Sequence, residues 1–361
     1  MANIAMLAVM PNGVWENVIF AFNSAFKNYA LAVIILTVVI KLITLPIDFF
    51  NRRSTLKMNE VQEKLQPKMK EIQKKYPDKT IQNQKLGELY KKEGFNPLGS
   101  CLTMLGVLVL SVAVFFTLFA SLNNVASYKI VTQYEKLQNA YVQNYVMEKE
   151  GLDEEGYNQL NLTKEQIENY IIEISTTGND DDKETANNAV KQKYEEVKES
   201  FLWIKNVWIA DSPLKKAIPD FDTYYNVAKL KEKNLTQEEI TKIKNEYQVV
   251  MSSLENEEGV NGYFILAVLA GVSAFFYQYL MSNKKKKTNA QKMHADPNTP
   301  DMTQSSGKAM MFILPIIMVY FTLQNNSIFA LYIIVSQLMG MATTPLINLI
   351  IDKMNNKKSK I

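Results

Sequence analysis

The chain has 361 residues, 47% of them hydrophobic, and a formal net charge of +3 from 40 Lys and Arg against 37 Asp and Glu. A single histidine, His294, and a single cysteine, Cys101, leave no ligand set for zinc, no histidine-based acid–base site and no intrachain disulfide. With no phosphate-binding glycine loop and no dinucleotide fingerprint either, the sequence predicts no cofactor and no enzyme chemistry.

The apolar residues come in blocks. Residues 28–50, 97–122, 260–281, 309–324 and 327–350 each approach the roughly 20 residues that carry a helix across about 30 Å of hydrocarbon. They predict an all-α polytopic membrane protein with five transmembrane helices, a cytoplasmic helical hairpin and an extracellular helical insert.

Residues 1–27 precede the first span, and Val18, Ile19, Phe22, Ala25 and Phe26 fall near one helical face. Two readings fit: a helix lying on the outer surface, or an upstream extension of the span. No Lys or Arg precedes Lys27, which argues against a secretory or organelle signal and favours a bacterial plasma membrane. Within the span, Lys41 is a lone cation, and a central lysine costs about 2.5 to 3.5 kcal/mol on insertion scales. Thr37, Lys41 and Thr44 are spaced i, i+4, i+7 and share a face. The lysine either snorkels to the boundary or lines a hydrated cavity that attracts acidic or polar segments of another chain.

In residues 51–96, Met58, Val61, Leu65, Met69 and Ile72 recur at helical spacing, Tyr76-Pro77-Asp78 interrupts them, and a weaker pattern runs from Ile81 to Tyr90. This is the hairpin, with Pro67 arguing against one straight first arm. The second span carries Thr103, Ser111 and Thr117. Residues 123–259 form the insert, with cap-like starts at Thr163-Lys-Glu-Gln166 and Thr236-Gln-Glu-Glu239. Residues 178–183 read as a solvated loop, since the spacing of a calcium loop is missing. Trp203 and Trp208 suit an interfacial belt. Tyr277 and Gln278 lie in the third span. The loop 282–308 contains the run Lys284, Lys285, Lys286 and Lys287, for which anionic lipid and topology are a better fit than nucleic acid. Only Asn325-Asn326 separates the last two spans, so they form a tight hairpin, and Ser336, Gln337, Thr343 and Thr344 lie in the second of them.

Charge sets the expected orientation. Residues 51–96 carry 12 Lys and Arg against 6 acids, residues 282–308 carry 6 against 2, and the tail 351–361, with Lys357, Lys358 and Lys360, is basic, whereas residues 124–258 carry 16 against 26. The positive-inside rule then places the basic segments, including Arg52, Arg53 and Lys57, in the cytoplasm, with the amino terminus and the insert outside.

These residues resemble the YidC/Oxa membrane protein insertases. Thr37-x-x-x-Lys41-x-x-x-x-Pro46 is similar to the family's first core span, where the basic position is usually Arg. Ser54, Lys57-Met58, Leu65-Gln66-Pro67, Leu89-Tyr90-Lys91 and Asn96-Pro97-Leu98-Gly99-Ser-Cys101 follow in order. Phe201-Leu-Trp203, Met310-Met311 through Pro315, Leu331-Tyr332 and Ser336 continue the match across residues 28–122 and 200–350. The second-span Pro-x-x-x-Gln-x-Pro reads Thr103-Met-Leu-Gly-Val107-Leu-Val109 here, and the insert has no counterpart. The resemblance implies a non-covalent insertase and chaperone with a cytoplasm-open hydrophilic groove. It would hold Lys41 with Thr37, Thr44, Thr103, Gln278, Ser336 and Gln337. Arg52, Arg53, Lys57, Lys284, Lys285, Lys357 and Lys358 would recruit partners on the cytoplasmic side. The implied partners are nascent membrane proteins, the ribosome, the Sec translocon and anionic lipids, with a further partner for the insert. An anion transporter and an assembly or adhesion factor working through the insert are the alternatives.

Overall fold

The computed structural model describes residues 10–93, 97–254, 259–281 and 302–358. Of these residues 81% are helical and none forms a strand, so the fold is all-α. The helices are α1 (Val14–Phe26), α2 (Tyr29–Lys75), α3 (Lys79–Lys92), α4 (Pro97–Glu150), α5 (Glu154–Leu160), α6 (Lys164–Thr177), α7 (Asp180–Val197), α8 (Phe221–Val227), α9 (Gln237–Met251), α10 (Ile265–Met281), α11 (Met302–Gln324) and α12 (Ser327–Lys358). Three stretches, Tyr29–Met58, Val109–Glu150 and Ser327–Asn356, are long and apolar enough to cross a membrane, and Ile265–Leu280 and Met311–Gln324 are shorter apolar helices. This is a multi-pass membrane protein.

The chain divides into two compact units. The first comprises Met1–Leu36, Leu118–Ala270 and Met318–Ile333. In it α1 is a helix of its own rather than an upstream extension of α2. Lys27 closes α1 in the left-handed region at φ 52°, and the Asn28 side chain accepts from the Leu31 N–H to start α2. Its anchored face differs from the expected one: Ile19 and Glu16 are buried, Phe26 is exposed, and Asn124 Nδ2 donates to Glu16 Oε1 at 3.0 Å.

The predicted caps form at Thr163 with Gln166 and at Thr236 with Glu239, each satisfying orphan N–H groups reciprocally. The aspartate cluster is a correction. Asn179 caps α7 and Asp180, Asp181 and Asp182 occupy its first turn, where their charge complements the helix dipole, so most of the expected loop is helix. Trp208 is also not an interfacial residue. It is fully buried and packs against Tyr29 with centroids 4.7 Å apart and the rings tilted by 52°, while Trp203 is half-buried. Around it Asn261 ties three carbonyls, those of Asn206, Ile209 and Ala210, and Asp211 caps α10 by accepting from the Tyr263 and Leu266 N–H groups.

The second unit comprises Thr37–Thr117, Gly271–Ile317 and Ile334–Ile361. Here α2 runs unbroken through Pro46 and Pro67 for 47 residues, so the first span and first hairpin arm are one helix. The return arm, α3, starts at Asp78, whose carboxylate accepts from the Thr80 and Ile81 N–H groups, and these bonds hold it below the usual carboxylate range. Lys68 and Glu93 pair at 2.5 Å across the hairpin, and Tyr90 donates to the Met69 sulfur. No residue of α3 is buried, leaving a polar hairpin surface.

Candidate functional site

The polar stripe predicted on the first span exists within the second unit and continues further along α2. Thr37 is buried at 2% exposure and Lys41 is half-buried. Asp48 and Arg52 extend the i, i+4, i+7 series to i+11 and i+15, so all five residues share one side of the helix. Among the described residues neither Lys41 nor Asp48 has a side-chain hydrogen bond or an ion pair within 4 Å, although they lie close enough for their charges to interact.

Arg52 is 7% exposed. Its Nε donates to Asn348 Oδ1 of α12 at 3.0 Å, and its NH2 group is buried without a hydrogen-bond partner among the described residues. Tyr277 of α10 lies beside both Asp48 and Arg52. Ser273 of α10 donates to Gln337 of α12. Gly340 of α12 lets the Tyr277 ring approach, since a Cβ there would sit 2.6 Å from Tyr277 Cε2. Lys41, Asp48, Arg52, Ser273, Tyr277, Gln337 and Asn348 thus bring three helices' polar groups into one unit.

Other expected members behave differently. Thr44 donates to the Lys41 carbonyl at 3.3 Å, and Thr117, Thr343 and Thr344 likewise bond their own helix carbonyls, which satisfies them locally. Gln278 and Ser336 are half-buried and Ser111 is exposed. The side chain of Thr103 lies outside the described residues. Of the recruitment set, Arg53 is half-buried and Lys57 exposed, Lys284 and Lys285 lie outside the described residues, and the side chains of Lys357 and Lys358 do so too. Arg52 departs from its expected place on the surface. The spacing beyond Thr44 places Asp48 and Arg52 on the same side of α2, but nothing local marks Arg52 as buried, and Asn348 and Ser273 had no signal of their own.

An all-α multi-pass membrane protein with a charged and amide-lined helix face defines the class. The family described as 60Kd inner membrane protein matches residues 21–356, and the chain belongs to that family. Among its relatives is "Membrane protein insertase YidC" of Geobacter sulfurreducens, 36% identical over 121 residues, which is 33% of this chain and 21% of that protein. The proteins of the same name from Geobacter metallireducens and Prosthecochloris aestuarii are 40% and 41% identical over 102 and 101 residues, each 28% of this chain and 18% and 17% of theirs. The aligned part of the chain therefore spans about a fifth of the length of these relatives.

Proposed function

We propose that this chain is a membrane protein insertase and chaperone that works without covalent chemistry. The observation that carries the reading is the family match over residues 21–356 together with Lys41, which has no ion pair within 4 Å among the described residues, on a polar stripe in an otherwise apolar span. Moving a polar segment through hydrocarbon is opposed by desolvation. A hydrophilic groove open to the cytoplasm, with one cation at Lys41 and with Thr37, Ser273, Gln337 and Tyr277 as hydrogen-bonding groups, lowers that cost while the client's apolar helix moves into lipid. Lysine keeps the charge of the family's usual arginine but presents a compact ammonium instead of a bidentate fork, so attraction is retained and planar clamping is not.

The proposed topology has five spans at 28–50, 97–122, 260–281, 309–324 and 327–350 in the bacterial plasma membrane. The amino terminus and residues 123–259 are outside, and the hairpin 51–96, the loop 282–308 and the tail 351–361 are inside, as the distribution of Lys and Arg favours. The proposed clients are nascent membrane proteins, delivered by the ribosome alone or with the Sec translocon; Arg53, Lys57 and the lysines from Lys284 and Lys357 onward meet ribosome or anionic lipid. The experiment is depletion with a single-span client as reporter. Insertion falls on depletion and returns with wild type but not with Lys41→Glu; clients that insert fully without the chain overturn the reading.

A further inference from the structure

Arg52 is a cation that the insertase reading does not use. It is more than nine-tenths buried, spends its Nε on Asn348, and keeps its NH2 group buried without a partner among the described residues. A guanidinium taken out of water and left half-satisfied is costly, and a brace between α2 and α12 needs no charge, since a glutamine would serve. Asp48 lies four residues earlier on the same side of α2, Tyr277 of α10 is close enough for its charge to interact with the guanidinium, and Asn348 contacts it from α12. Asp48 has no ion pair within 4 Å among the described residues, so Arg52 is not neutralised by contact. Lys41 lies eleven residues away on the same face, about 16 Å along the axis at 1.5 Å per residue.

We propose that Arg52 forms a second carboxylate subsite of the client path, its Nε held by Asn348 and its buried, unsatisfied NH2 group taken up by an acidic side chain of the passing segment. Asp48 is the resident competitor for that group. A client with acidic residues spaced along its polar segment engages Lys41 and Arg52 at two points, whereas a basic client meets Asp48 between them. The proposal rests on the insertase reading and adds a specificity that Lys41 alone does not supply.

The test uses the full chain in depleted cells and three versions of one single-span client, with Asp, Asn or Lys at a single position of its translocated segment. Arg52→Gln lowers insertion of the Asp client about tenfold relative to the Asn client, the scale of one charge-assisted hydrogen bond. Arg52→Glu shifts preference to the Lys client, and Asp48→Asn, which leaves the arginine in place, raises the Asp client over the others. Asn348→Ala breaks the same brace but keeps the ranking of clients. Equal loss of all three clients in Arg52→Gln, with no change of ranking in Asp48→Asn, makes Arg52 a structural brace and overturns the proposal. If Lys41→Ala lowers the Asp client while the Arg52 and Asp48 variants keep the wild-type ranking, the subsite fails and the insertase reading stands; if no client needs the chain, both fail.

Discussion

Glu246 makes the acid–base behaviour of the first unit predictable. It lies on α9, 4% exposed, beside Glu168 of α6 at the same exposure. Lys242 Nζ is 2.5 Å from Glu168 Oε2 but 4.0 Å from Glu246 Oε1, which has no hydrogen-bond partner among the described residues. Burial, reinforced by the Glu168 carboxylate and opposed by Lys242 and Lys164, pushes Glu246 up to about 7 from its ordinary 4.5; Tyr134 of α4 also faces the pair. Below pH 4.5 the carboxyl is neutral whether the chain is folded or not. Between 4.5 and 7 the folded state holds a proton that the unfolded state releases, so stability falls as pH rises and the loss is complete above 7. At 1.36 kcal/mol per pH unit the penalty reaches about 3 kcal/mol. Glu246→Gln removes it, and at 2–4 °C per kcal/mol this raises Tm by about 6–12 °C at pH 8 and hardly at all at pH 4.5. Thermal unfolding of the full chain in detergent from pH 4.5 to 8.5, followed by near-UV signals, measures the difference. A gap between the two proteins that stays constant or narrows with pH refutes the reasoning.

Trp208→Ala, which removes the tilted ring contact with Tyr29, costs about 3–5 kcal/mol in denaturant unfolding of the first unit, against less than 1 for an exposed control such as Leu202→Ala. Thr163→Ala removes one side of the α6 capping box and costs about 1 kcal/mol, read as faster amide exchange in the first turn of α6. Gly340→Ala drives a methyl into the Tyr277 ring and lowers Tm by overpacking of about 1–3 kcal/mol; in a Tyr277→Ala background the same change has no such cost, and an unaltered penalty there contradicts the contact.

The helical class and the membrane character were legible because apolar blocks of spanning length and capping boxes are local signals. Thr163 and Thr236 cap where their following Gln and Glu indicate. The aspartates at 180–182 misled because acidic clusters suit loops and helix N-termini alike, and Asn179 decides between them only through a side chain bonding back to Asp182. Pro67 lies inside an unbroken helix, because a proline removes one backbone bond of a long helix without ending it. In the polar face, Lys41 and Thr37 stand out in an apolar run, whereas Arg52 beside Arg53 at the end of the span looks like any boundary cation. Its burial depends on Asn348, 296 residues away, a long-range pairing that no local pattern encodes.

The central claim, that clients pass along the Lys41 face of α2, is tested most directly by site-specific photocrosslinking to ribosome-stalled nascent membrane proteins. A photoreactive residue at Thr44 keeps Lys41 intact and lies on its face, while one at Ile43, 70% exposed, reports the apolar surface. The account predicts strong adducts from 44 with the polar segment of the client, lost with Lys41→Glu, and from 43 adducts with lipid or with the client's apolar helix only. Equal polar-segment adducts from both positions, or none from 44, contradict it.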